Sequence, residues 1–185
     1  MSAYGLGEFV RDIRAICAEN TRPSAILRRV APLAQRAAQN RALRAKRYQS
    51  CNAEQGYGIH LLHEEPDHSL AVFVVSWLPG RGTPPHNHGT WAVVAGIAGT
   101  EQNVFWKRLD DCSRPGYARV KRAGKTSIGP GQVGTFPPTA IHSVSNDGAK
   151  ISTSLHVYGR HPNHTVRSQF DQVKNTELPV TLTID

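Results

Sequence analysis

The sequence predicts a mainly β protein, a sandwich or barrel, preceded by two or three α-helices. Two observations carry that expectation. After about residue 48 the chain breaks into short β-prone runs separated by clusters of Gly, Pro, Asp and Asn, with no helical pattern between them; strands at such spacing suit an all-β architecture rather than alternating β-α units. Before that point, apolar residues recur at helical spacing, and the segment carries nearly all the excess positive charge.

Taken in order, "EFVRDIRAICAE" places Phe9, Ile13 and Ile16 on one helical face. Thr21 is expected to cap a second helix, with Pro23 in its first turn. Pro32 is expected to interrupt that helix, because proline lacks a backbone donor, and "LAQRAAQNRALRAKR" to resume it with strong helix formers. The β-prone runs follow: "YGIHLLHEE", "SLAVFVVSWLP", "TWAVVAGIAG", "EQNVFWKRL", "YARVKRAG", "VGTFPP" and "AKISTSLHVYG", with one further strand possible in the tail. In "EQNVFWKRL", either Phe105 or Trp106 should be exposed or packed on the N-terminal helices. The chain thus divides into a helical segment, residues 1–48, packing on a barrel with a C-terminal extension, residues 49–185.

Composition narrows the class. A chain of 185 residues with 39% hydrophobic and 19% charged residues is long enough for a substantial core. No apolar run is long enough to cross a bilayer, and the first residues lack a basic stretch followed by an apolar one, so no secretory signal is read. Cys17, Cys51 and Cys112 are odd in number and widely spaced, which fits a reducing, cytoplasmic location better than a disulfide scaffold. The formal net charge is +8, yet residues 1–50 hold ten basic against three acidic side chains. That segment reads as a solvated helical face; aromatic interleaving is absent, and neither a nucleic-acid nor a membrane partner is expected.

The stretch "GTPPHNHGTWAVVAGIAGTEQN" raises the chemistry. On a strand, side chains two apart share a face, so His86 and His88 can address one ion while Asn87 points away. Gly80 precedes His86 by the glycine-x5-histidine spacing, and Gly99 closes the stretch; Gly131, Pro137, His142 and Asn146 follow downstream. This pair of motifs, within residues 57–158, resembles the cupin superfamily, a double-stranded β-helix or jelly-roll barrel. Most metal cupins carry a glutamate four or five residues after the second histidine; here those positions are Ala92 and Val93. The resemblance therefore implies a metal held by three neutral imidazoles, His86, His88 and His142. Such a set leaves a divalent ion its full charge and favours an anionic ligand from the substrate; imidazole nitrogen suits iron, zinc, copper or nickel.

In "STSLHVYG", alternation puts Ser154, His156 and Tyr158 on one face of a strand and Thr153, Leu155 and Val157 on the other. Three polar side chains facing a barrel interior need hydrogen bonds to one another or to a ligand. This row resembles the thiol dioxygenases, the cysteine dioxygenase family of cupins, which also lack the glutamate. That likeness implies Fe(II), a small thiol and O2 as reactants, and a sulfinic acid as product. It also implies a relay in which Tyr158 donates a hydrogen bond to oxygen or substrate, His156 orients Tyr158, and Ser154 fixes the His156 tautomer.

Two departures bear on the substrate. Mammalian cysteine dioxygenases crosslink a cysteine to the tyrosine; the matching position is Val93, so no crosslink is expected. Their carboxylate-binding arginine on an early strand is replaced by His60, which either faces the pocket or does not. The 3-mercaptopropionate dioxygenases instead use an arginine nine residues after the tyrosine, which is Arg167 here. That favours an amine-free thiol carboxylate, such as 3-mercaptopropionate or mercaptosuccinate, over cysteine, with Arg160 as the competing arginine. His63, His68, His161 and His164 are read as mostly surface or loop histidines, and Trp77 and Trp91 as core. The competing functions are another three-histidine cupin dioxygenase, such as a β-diketone-cleaving enzyme, and a non-catalytic metal-binding cupin.

Overall fold

The computed structural model describes residues 4–184; residues 1–3 and 185, the outermost positions of the two expected segments, lie outside the described residues. Helix α1 (Leu6–Glu19) buries Phe9, Val10, Ile13 and Ile16, the face its spacing predicts. Helix α2 (Pro23–Ala37) buries Ile26, Leu27, Val30, Ala34 and Ala37. Among the described residues no helix is long and apolar enough to cross a membrane.

Three expectations for this segment need correction. Pro23 does open α2, but Arg22, not Thr21, is the N-cap, and it makes no side-chain cap. Pro32 sits inside α2 without ending it. Pro32 and Arg28, whose carbonyl loses its partner, are both exposed, so water replaces the missing bond while the apolar face stays packed. The Arg-rich stretch does not resume an α-helix. Asn40 Oδ1 accepts from Ala42 N at 3.0 Å and starts two short 3-10 helices, Arg41–Arg44 and Lys46–Gln49; local side-chain bonding here competes with helix propagation.

Among the described residues eleven strands follow: β1 (Tyr57–Glu64), β2 (Ala71–Trp77), β3 (Gly82–His86), β4 (Ala92–Ala98), β5 (Glu101–Arg108), β6 (Val120–Ile128), β7 (Val133–Phe136), β8 (Ile141–Ser145), β9 (Ser152–Tyr158), β10 (Ser168–Asp171) and β11 (Thr176–Pro179). They form two sheets, β1-β2-β9-β4-β7 and β11-β10-β3-β8-β5-β6. The tail contributes two strands rather than one, pairing with each other antiparallel.

β2 and β9 are buried along their whole length, because the five-stranded sheet is covered on both sides. Val72, Val74, Val93, Ala95, Leu155 and Val157 pack with α1 and α2. The alternate positions, Phe73, Val75, Ala92, Val94 and Tyr158, pack into the barrel with Ile59, Trp77, Phe136 and Val144. The two faces of β9 thus separate as alternation predicts. In β5 a register shift falls between Phe105 and Trp106. Phe105 packs inward. Trp106, contrary to expectation, packs not on the helices but beside Ala118, Val120, Ile141 and Phe170 on a separate cluster, with Nε1 donating to Ser143 Oγ at 3.0 Å.

Within the six-stranded sheet β3 and β8 approach closely at Gly82. A Cβ on Gly82 would overlap the Val144 carbonyl oxygen on β8, which is backbone and cannot swing aside. Gly82→Ala is therefore expected to lose about 1–3 kcal/mol of stability, read as a lower denaturation midpoint at unchanged slope.

Candidate metal centre and adjoining polar network

The three imidazoles come together from two adjacent strands. Pro84 and Pro85 cannot donate to a β ladder, and the β3–β8 register shifts across them, between Thr83 and His86. Beyond the shift, His86 pairs directly with His142. Asn87 turns the other way: its Oδ1 accepts from Ser168 N at 2.8 Å. His88 lies just past the strand end, its carbonyl held by Thr165 Oγ1 at 2.8 Å. One ligand atom from each of His86, His88 and His142 lies within 4.8 Å of the others, and all three side chains are buried.

These residues fit a metal ion. His86 Nδ1–H donates to the Pro84 carbonyl at 2.9 Å, and His142 Nδ1 lies 2.7 Å from Asn103 Oδ1; such outer partners fix the tautomer that leaves Nε2 for a metal. The Nε2 atoms of His88 and His142 are 3.0 Å apart. His88 Nδ1 is buried without a hydrogen-bond partner. Burial, reinforced by the Arg167 charge, holds His86 down to about 3. Burial and the neighbouring imidazoles hold His88 and His142 well below the ordinary histidine value. All three are therefore neutral and have lone pairs to offer. Val93, matched above to the crosslinking position, faces the helices; the inward positions of β4 are Ala92 and Val94, so β4 brings neither a carboxylate nor a thiol to the site.

A second group of ligand-type side chains, Glu64, His68 and His164, lies elsewhere and is more exposed. The His68 and His164 rings stack at 3.5 Å and 10°, an arrangement in which their in-plane lone pairs do not converge.

Ser154, His156 and Tyr158 form a connected row. His156 Nε2 is 2.9 Å from Ser154 Oγ, and His156 Nδ1 is 3.0 Å from the Tyr158 hydroxyl. The Tyr158 ring lies 5.1 Å from that of His88. Burial raises the Tyr158 phenol above its ordinary value, so it stays protonated. His86, His88, His142, His156, Tyr158 and Arg167 all border one small cavity of about 40 Å³.

Arg167 is only 7% exposed. Its Nε and Nη1 are buried without hydrogen-bond partners, and burial lowers its pKa despite the proximity of Tyr158 and Tyr57. Arg160 is exposed and donates to the His164 carbonyl at 3.0 Å, away from this cavity. His60 is a correction: it points to the opposite face of β1, with Nε2 3.1 Å from the Ser50 carbonyl and its ring against Tyr48. Ile59, its neighbour, takes the inward position. Strand alternation separates them. His161 lies in a loop, as expected, but is buried there with its ring against Phe73.

Two elements of the site escape sequence reasoning. Glu101 and Asn103 lie buried on β5, where Ser154 Oγ donates to Glu101 Oε2 at 2.7 Å and Asn103 Nδ2 to Glu101 Oε1 at 3.0 Å. Their signal was present: period-two alternation in "EQNVF" puts both on the face shared by Phe105. The other is Leu182, which borders the cavity and is held there by reciprocal bonds to Asn163, at 3.0 and 2.7 Å. No sequence pattern announces a tail residue in that place.

No family model matches the sequence. Among solved structures, a double-stranded β-helix protein from Klebsiella pneumoniae subsp. pneumoniae is 13% identical, with TM-score 0.50, over 68% of this chain and 88% of that one. An oxalate oxidase in complex with the substrate analogue glycolate is 14% identical, with TM-score 0.47, over 64% of this chain and 60% of its own length. An oxalate decarboxylase from Bacillus subtilis is 22% identical, with TM-score 0.41, over 55% of this chain and 23% of that one. The fold is accordingly a double-stranded β-helix, preceded among the described residues by two α-helices and carrying a three-histidine site suited to a metal ion.

Proposed function

We propose that the protein is an Fe(II)-dependent thiol dioxygenase that adds both atoms of O2 to the sulfur of a small thiol carboxylate, giving the sulfinic acid. The observation that carries this reading is the buried guanidinium of Arg167, unpartnered at Nε and Nη1, bordering the same cavity as three neutral imidazoles and the Tyr158 hydroxyl. An unpaired buried cation is costly, and a substrate carboxylate would satisfy it with two parallel hydrogen bonds. Iron at the imidazoles would supply adjoining positions for the thiolate sulfur and for O2; the sulfur itself gives up the four electrons that reduce both oxygen atoms, so no other reductant is needed. The protein's own groups do the rest. Arg167 holds the carboxylate end, Tyr158 presents its hydroxyl to the reacting end, and Leu182 helps exclude water. The cavity is far smaller than drug-sized pockets, which favours 3-mercaptopropionate, mercaptosuccinate or a thiol of that size.

Oxygen uptake on a thiol panel, with sulfinate detected as product, tests the reaction; uptake with a β-diketone and none with thiols would replace it with carbon–carbon cleavage. Arg167→Ala tests the specificity. Loss of a charge-assisted hydrogen bond costs roughly 1.5 to 3 kcal/mol, or about 10- to 150-fold. A loss of that order in kcat/KM is expected for the thiol carboxylate and much less for 2-mercaptoethanol. Equal losses for both thiols would show that Arg167 supports the fold or the metal site instead.

A further inference from the structure

Three hydrogen-bond donors converge on one buried carboxylate that the proposed reaction does not use. Glu101 is 1% exposed. Its Oε2 accepts from Trp77 Nε1 at 3.1 Å and from Ser154 Oγ at 2.7 Å, and its Oε1 accepts from Asn103 Nδ2 at 3.0 Å. Burial pushes this carboxyl up, but His156, Ser154 and Asn103 outweigh it and hold the group below the ordinary carboxylate value. Glu101 is therefore ionised, and an ionised carboxylate only accepts.

Direction then propagates outward along two branches. On one, Asn103 spends its NH2 group on Glu101 and presents Oδ1 to His142, 2.7 Å away. His142 must carry its proton on Nδ1, which leaves the Nε2 lone pair for a metal. On the other, the single proton of Ser154 goes to Glu101, so Ser154 Oγ accepts from His156 Nε2–H at 2.9 Å. In that Nε2–H tautomer Nδ1 is bare and accepts from the Tyr158 hydroxyl at 3.0 Å. In this resting pattern Tyr158 turns its proton toward His156 and its oxygen lone pairs toward the cavity, the reverse of the donor role implied by the family resemblance.

We propose that Glu101 is a positioning residue whose single carboxylate orders the protons of both a metal-binding histidine and the Tyr158 relay. The proposal rests on the reading that His86, His88 and His142 hold a metal; the proton order itself needs no ion.

Glu101→Gln separates the two branches. The Trp77 indole N–H can only donate, so the new amide keeps its oxygen at the Oε2 position and sets its NH2 against Asn103 Nδ2. Two donors cannot face each other, and the Asn103 amide must turn over, offering its NH2 to His142 Nδ1. The His142 proton then moves to Nε2, the nitrogen a metal needs. Ring-nitrogen NMR shifts of the metal-free protein are expected to report Nδ1–H at His142 and Nε2–H at His156 in the parent. In E101Q only His142 should switch. Affinity for Co(II), measured against a chelator, should fall about 10- to 100-fold, as for other outer partners of metal-bound histidines. Adding N103D to E101Q supplies acceptors to both the amide and His142. The double variant is expected to regain the parent tautomer and affinity, which a merely structural role for Glu101 does not predict.

A parent in which His142 carries its proton on Nε2, or His156 on Nδ1, would overturn the proposal without any variant. So would a double variant that binds Co(II) no better than E101Q. A parent that binds no Co(II) would remove the metal reading and the affinity half of the proposal, while the tautomers still decide the proton order.

Discussion

His86→Ala is expected to deplete the protein of metal and abolish its turnover while leaving the barrel folded. His86 pairs with His142 across β3 and β8, and its Nδ1 is anchored on Pro84, so its Nε2 is held in place before any ion arrives. Removing one of three protein donors should cost more than the roughly 10- to 100-fold typical of losing an outer partner. The measurement is metal content after anaerobic loading, with a circular dichroism spectrum to show that the sheets persist. Near-normal occupancy would mean that the imidazoles are packed side chains rather than ligands.

Tyr158→Phe is expected to lower turnover by about 100- to 10,000-fold, the range for loss of a positioned proton donor or acceptor, at unchanged metal content. The substitution keeps the ring, which packs edge-on against Phe73 at 5.9 Å and against His88 at 5.1 Å. It deletes only the hydroxyl that meets His156 Nδ1. Because burial already keeps that phenol protonated, the loss should be similar across the neutral pH range. Turnover equal to the parent's would reduce Tyr158 to a core residue. The contrast between the two variants, one losing the ion and one keeping it, separates ligand from relay.

Much of this site could be read from spacing. The row Ser154, His156 and Tyr158 follows from the two-residue period of a strand. His86 and His88 follow from the same period, although His88 lies just beyond the strand, ahead of the bend at Gly89 and Thr90. Arg167 came from its distance to Tyr158 within a family pattern, and its unpartnered burial adds a physical reason that the spacing lacks. His60 failed for the converse reason. Counting back from His86 locates a position on β1 but not a face, and the pairing of β1 with β2 sends His60 to Ser50 and Tyr48.

The sequence by itself determined most of the strands, the buried faces of α1 and α2, the pair of motifs, and the absence of a carboxylate at Ala92, because these depend on local period and residue type. It misjudged Pro32, since whether a proline breaks a helix depends on whether water can reach the carbonyl it orphans. Only the tertiary structure decided which distant side chains meet. Glu101 carries no motif, and its role comes from β5 lying beside β8 while facing β9 across the barrel. Burial by the opposite sheet then turns an ordinary glutamate into the shared acceptor for Trp77, Asn103 and Ser154. Hydrogen-bond direction of that kind depends on three-dimensional neighbours, because a buried polar group must find its partners wherever the fold brings them.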